Sequence, residues 1–213
     1  MSAVAHSMDA ISLGFSDEDY KAERPELKTD TFFEWRISDA NIKRTKKGDN
    51  LTVVLKCEAL DANAAAMAPK WMNVAMPVSI PGENITCPDY AKKMFLAQMA
   101  PLFPELGPYD NVEVDPYSGT KTYYKDGEVI TGKAFDLARF DSNKRIGALA
   151  KEFAQVWMET MDKSSLDVLL DKRFFAILKK SKDGQYVNIA EMRASAPTDK
   201  DVVYDRKEAF KKK

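Results

Sequence analysis

Strand-like alternation in two separated blocks, with a helix-rich stretch between them, is what most limits the folds open to this 213-residue chain. In the first block Phe33, Trp35 and Ile37 alternate with Glu34, Arg36 and Ser38, the period of two that a half-buried strand requires. After Asp39 the phase slips to Ala40 and Ile42, and a bulge carrying one extra residue explains the slip. Leu51, Val53, Leu55 and Cys57 then point one way, against Thr52, Val54, Lys56 and Glu58. The turn Lys47-Gly48-Asp49-Asn50 between the two runs supplies residues that tolerate positive φ, so 32–60 reads as a hairpin. A third strand is expected over Trp71 to Val78, with Met72, Val74, Met76 and Val78 on one side. The second block, Lys172 to Arg193, reads as another hairpin. Its first strand is apolar on both faces (Phe175 and Ile177 against Phe174, Ala176 and Leu178), as a central strand is, and Tyr186 to Met192 closes it.

Between the blocks the periodicity changes. Thr86-Cys87-Pro88-Asp89 reads as a helix start, with Thr86 as N-cap and proline in the first turn. Ala91, Met94, Phe95, Gln98 and Leu102 fall on one face of that helix, and Pro101 with Pro104 ends it. Val112 to Thr131 carries two turn signals, around Asp115 to Gly119 and Lys125 to Gly127, and reads as a small β-meander. Ile146, Leu149, Ala150, Phe153, Val156, Trp157 and Met161 mark an amphipathic helix of about five turns. A short helical turn is expected over Ser165 to Leu170.

The resulting order, β-β-β-α-β-β, predicts a mainly β, α+β fold: a five-stranded OB-like barrel with helices and a meander inserted between its third and fourth strands. The expected domain spans 31–196, with the insertion at about 85–165. It is preceded by an acidic arm over 1–30 and followed by a basic tail over 197–213.

Composition narrows the function. A chain with 45% hydrophobic residues can bury one sizeable core. No apolar run approaches the roughly 18 residues of a membrane span, so a cytoplasmic location without membrane association is expected. The single histidine, His6, falls in the arm, which argues against His-based triads and His-rich metal sites. No Gly-rich loop with a following Lys-Ser or Lys-Thr points to a nucleotide site. Asp110, Glu113 and Asp115 form an acidic group, but without EF-hand spacing they read as solvated surface. Cys57 and Cys87 read as ordinary buried thiols. No cofactor is expected, and the chain reads as a binding protein and not an enzyme.

The net charge of -1 conceals a segregation. Residues 1–34 hold eight acids and three bases, whereas 35–60 hold six bases and three acids. The stretch 172–182 has five bases and no acid. Cations thus concentrate on the two hairpins: Arg36, Lys43, Arg44, Lys46, Lys47 and Lys56 on the first, Arg173, Lys179, Lys180 and Lys182 on the last. An electrostatic footprint of this kind fits a nucleic-acid backbone, and OB topology is expected to bring both loops to one face. Trp71, beside Lys70, and Tyr186 are the candidates for stacking on bases, each at a strand start near basic residues. A place in the core is the other reading of Trp71, while Trp35 shares its phase with Phe33 and Ile37 and is assigned to the core.

The opening hairpin, Trp35 through Asn50 to Leu55, and the closing Leu169-Leu-Asp-Lys-Arg-Phe-Phe-Ala-Ile-Leu-Lys179 with Gly184-Gln-Tyr-Val-Asn-Ile189, resemble phage-encoded single-stranded-DNA-binding proteins of the OB class. The resemblance covers about a third of the chain. It implies sequence-independent coating of single-stranded DNA during replication and recombination, contacts with replication or recombination proteins, and homodimer formation. Many members end in an acidic tail, whereas this chain ends Tyr204-Asp-Arg-Lys-Glu-Ala-Phe-Lys-Lys-Lys213. A virion or assembly protein that uses the same barrel as an interaction module is the alternative, because a fold does not fix a function.

Overall fold

A computed structural model describes residues 12–15, 32–60, 69–115, 117–118, 120–161, 164–180 and 187–196. Its strands are β1 (Ser12–Leu13), β2 (Phe32–Arg44), β3 (Leu51–Ala59), β4 (Lys70–Ala75), β5 (Val78–Ser79), β6 (Asn111–Val114), β7 (Lys121–Lys125), β8 (Glu128–Ile130), β9 (Ser164–Ser165), β10 (Arg173–Lys180) and β11 (Val187–Arg193). Two α-helices, α1 (Ala91–Met99) and α2 (Gly132–Thr160), fall between β5 and β9. The fold is therefore α+β and dominated by antiparallel sheet, as the sequence indicates.

Five strands lie in the order β11-β10-β2-β3-β4, and β9 pairs with β2 beside this path. The ladders are antiparallel throughout. β2 sits at the centre because it is long enough to serve two partners: its first half pairs with β10, Trp35 opposite Phe174, and its length through Arg44 pairs with β3. The slip read from the sequence is a bulge between Ile37 and Asp39, where Ile37 opposes Cys57 and Asp39 already opposes Lys56. The outer strands β4 and β11 approach to within 8 Å between Cα atoms, but no hydrogen-bonded ladder joins them among the described residues, so the sheet is not a closed barrel.

One face of this sheet forms the core. Trp35, Ile37, Ile42, Leu55, Cys57 and Val74 are fully buried there, and the helical layer supplies Phe95, Ala150, Phe153 and Trp157 against them. The indole Nε1 of Trp35 donates to the carbonyl of Ala176 at 3.3 Å, which satisfies the one polar atom the ring buries. Burial pushes the Cys57 thiol up to about 12, because the thiolate would lie in an apolar interior.

Several expected boundaries move. α1 begins at Ala91 and not at Thr86, and its N-cap is Tyr90, which has no side-chain capping bond. Thr86 is engaged elsewhere: its amide and hydroxyl both donate to the carbonyl of Asp49, at 2.8 and 3.1 Å, tying this segment to the first hairpin. Ala91, Phe95, Leu96 and Met99 form the buried face of α1, so the stripe is rotated from the expected one, although Pro101 and Pro104 do end the helix in 3-10 turns. α2 spans 29 residues, about eight turns where about five were expected. Its C-terminal half carries the predicted stripe, and its N-terminal half runs back to the meander. The third strand stops at Ala75 and resumes as β5, since Pro77 has no amide hydrogen to donate to a ladder.

The meander forms as read, β6-β7-β8, with Asp126 and Gly127 both at positive φ in the tight turn between β7 and β8. Tyr109, Tyr123 and Phe135 fasten it to α2, with ring centroids 4.8 Å apart for both Tyr109–Tyr123 and Tyr123–Phe135. Within the segment expected to be an arm, β1 pairs with β5 and Phe15 meets Phe95 edge-on at 6.4 Å. Residues 1–11, 16–31 and 197–213, which include the rest of that arm with His6 and the tail, lie outside the described residues. No helix among the described residues is long and apolar enough to cross a membrane.

Trp35 is fully buried in the core and bonded to β10, so Trp35→Ala is expected to lower unfolding free energy by about 3–5 kcal/mol, measured by urea denaturation followed by far-UV circular dichroism.

Candidate nucleic-acid interface

Strand parity sorts the candidate residues. Because the core takes Trp35, Leu55, Met72 and Phe174, the alternate positions form the opposite, outer face of the sheet. Arg36 lies opposite Glu58 on β3 and Arg173 on β10; Lys56 lies opposite Asp39 and Trp71; Lys43 lies opposite Thr52; Lys179 lies opposite Asn188. These six residues, Arg36, Lys43, Lys56, Trp71, Arg173 and Lys179, therefore share one face. Trp71 is 55% exposed, which removes it from the core.

Other candidates do not join them. Arg44 lies opposite Leu51, on the core side. Its guanidinium donates to Glu83 at 2.6 Å and stands 5.1 Å from the Trp157 ring centroid, so it clamps the hairpin base to α2. Lys70 lies opposite Cys57, out of phase with Trp71, at the first position of β4. Lys46 and Lys47 are exposed in the hairpin turn and make no ion pair with a described residue, and Lys43 is likewise exposed and unpaired among them. Lys180 pairs in register with Val187, and Lys182 and Tyr186 lie outside the described residues.

The two basic hairpins do not sit side by side. The 45–50 turn follows Arg44 at one end of β2, whereas β10 runs the other way and its Ile177 already opposes Phe32 at the start of β2. The end of β10 that leads into residues 181–186 therefore lies at the opposite end of the outer face. The expected common surface is a face flanked at its two ends.

What sequence reasoning missed is how thoroughly carboxylates occupy this face. Arg36 Nη2 donates to Glu58 at 3.0 Å and its Nη1 lies 3.7 Å from Asp171; Lys56 lies 3.7 Å from the same Glu58. Arg173 pairs with Glu34 at 3.5 Å, and Lys179 pairs with Glu191. The signal was present, since acids alternate with bases along β2 and β3, but which acid meets which base depends on the bulge. Apolar side chains interrupt the pattern: Phe32 and Ile177 are fully buried on this face with Phe175 and Ala190 packed beside them, and the Arg193 guanidinium stands 4.8 Å from the Phe32 centroid.

The acidic group on the meander is occupied one carboxylate at a time. Asp110 accepts from Lys125 Nζ and from the amide of Asp126, both at 2.7 Å, Glu113 accepts from the Tyr124 hydroxyl, and Asp115 accepts from the amides of Tyr117 and Ser118. No cluster of His, Cys, Asp or Glu suited to a metal ion occurs among the described residues.

The Arg36 hydrogen bond, followed by that of Ser38, holds the Glu58 carboxyl below the usual glutamate range. A carboxyl lowered in the folded state contributes stability that is present above its ordinary pKa and is lost as pH falls through the lowered value. A carbon-detected NMR titration should find Glu58 titrating below the usual glutamate value, and Arg36→Met should return it toward that value. Compared with protein-family models, curated proteins and solved structures, the chain matches none.

Proposed function

We propose that this chain binds single-stranded DNA with little sequence preference, laying the strand across the outer face between the two basic hairpins. The observation that carries this reading is Trp71, a large aromatic ring 55% exposed on a strand, with Lys56 directly opposite it. A base can stack on such a ring at about 1–3 kcal/mol, and every base has a face to offer, so the contact is indifferent to sequence. Lys43, Lys46 and Lys47, which make no ion pair with a described residue, supply positive charge at one end of the face for the phosphates.

Strand order supports the same reading. Taken as an OB-type barrel, β2, β3, β4, β10 and β11 are strands one to five, and α1 and α2 occupy the usual place of the helical connection between strands three and four. β4 and β11 are then the third and fifth strands, whose approach without a ladder leaves this barrel partly open. In that class the face of strands two and three, here β3 and β4, carries the ligand, and it is the face that holds Lys56 and Trp71. Roles in replication or recombination, with the protein contacts and dimerisation those imply, belong to this proposal as its biological setting.

Titration with oligo-dT should quench tryptophan fluorescence, with an association constant that falls linearly on a log–log plot as salt rises. Trp71→Ala is expected to weaken binding about 5- to 150-fold, the equivalent of one lost stack. Lys46→Glu combined with Lys47→Glu is expected to flatten the salt dependence and leave the melting temperature unchanged. Absence of binding to oligo-dT at low salt, or tighter binding to duplex, overturns the reading.

A further inference from the structure

Four cations of the outer face have a carboxylate partner: Arg36 and Lys56 share Glu58, Arg173 meets Glu34, and Lys179 meets Glu191. We propose that Glu58, with Glu34 and Glu191, makes this face selective for single strands by cancelling the charge a duplex needs for binding; this rests on the proposed single-strand reading.

Duplex and single-stranded DNA offer such a face different things. Duplex DNA carries one negative charge per ~1.7 Å of axis and keeps its bases stacked inside, so non-specific duplex affinity comes almost wholly from phosphates displacing counterions. On a face whose lysines and arginines are already neutralised there are few counterions to displace, and the carboxylates repel the dense phosphate rows. A single strand has a lower charge density and a second source of affinity, because its bases are free to stack on an exposed ring such as Trp71. Its backbone can also bend so that bases and not phosphates meet the carboxylates. Cancelling charge in the middle of the face therefore penalises a duplex more than a single strand, while Lys43, Lys46 and Lys47 keep some attraction at one end.

Placement supports a role in selection. Glu58 sits between two cations, opposite Arg36 in the ladder and two residues along from Lys56, which is itself opposite Trp71. Side-chain exposures of 40% for Arg36, 34% for Lys56 and 32% for Glu58 leave the trio open to solvent and within reach of a ligand.

Glu58→Gln keeps the shape of the side chain, frees Lys56 and leaves Arg36 with the more distant Asp171 alone. It should tighten binding to a duplex oligonucleotide by about five- to ten-fold at roughly 0.1 M salt, the effect of about one further phosphate contact, and tighten oligo-dT binding by less than about two-fold. Asp110→Asn is the charge-matched control, since it removes one negative charge at an ion pair on the separate meander sheet. That control should leave the ratio of single-strand to duplex affinity at its wild-type value. Equal tightening of both ligands by Glu58→Gln, no tightening of either, or the same shift in the Asp110→Asn control overturns the inference while leaving single-strand binding by the wild-type protein standing. Failure of the wild type to bind oligo-dT would instead remove the reading on which the inference rests. Melting temperatures of both variants within a few degrees of wild type establish that folded protein is being compared.

Discussion

The extra residue in β2 is the feature on which the rest of the sheet depends. Between Ile37 and Ala40 the strand advances three residues while β3 advances only two, from Cys57 to Leu55, so Ser38 and Asp39 together occupy the outer face. Without that insertion the period of two would turn Ala40 and Ile42 away from the core, because a one-residue slip moves every later side chain to the other face. The bulge also bends the strand, and the bend is what lets one element pair with β10 over its first half and with β9 beyond. A single strand thereby links the two hairpins, which are separated in sequence by more than a hundred residues.

Features that depend on local periodicity were legible in the sequence. The alternation of β2 and β3, the phase slip, the central position of β10, the meander and the stripe Ile146-Ala150-Phe153-Trp157 all follow from side-chain spacing, and all occur in the structure. The start of α1 was misread for a physical reason: Thr86 and Pro88 have the chemistry of a helix cap, but the Thr86 amide and hydroxyl are drawn instead to the Asp49 carbonyl, a tertiary contact that spacing cannot reveal. The N-terminal half of α2 was missed because much of it is exposed and lacks an apolar stripe; its buried aromatic anchor, Phe135, packs with Tyr109 and Tyr123, which lie on other elements.

For the candidate interface, sequence located the cations but not their state. Arg44 and Lys43 are neighbours with the same charge, yet Arg44 points to Glu83 and Trp157 on the core side while Lys43 is exposed to solvent. Parity alone separates them, and parity after residue 38 depends on the bulge. Arg36 looked equally free in the sequence. Its two carboxylates come from β3 and from Asp171, a residue at positive φ in the turn before β10, so one of them is contributed from more than a hundred residues away.

The energetics of these pairs explain why they matter more for the surface potential than for the fold. Arg173 is 66% exposed and Arg36 40% exposed, and ion pairs this open contribute about 0–1 kcal/mol each, since water screens the attraction and ordering two long side chains costs entropy. Most of the apolar burial lies on the other face, in Trp35, Leu55, Phe95, Phe174 and their neighbours, with Phe32 and Ile177 a smaller buried cluster on the outer face. The outer face can therefore change its charge at small cost to folding, whereas a buried pair could not, because stripping a partner from a desolvated charge is heavily destabilising. That division, an apolar inner face covered by the inserted helices and an outer face of weak, balanced pairs around one exposed indole, leaves the recognition chemistry free to be set by individual carboxylates.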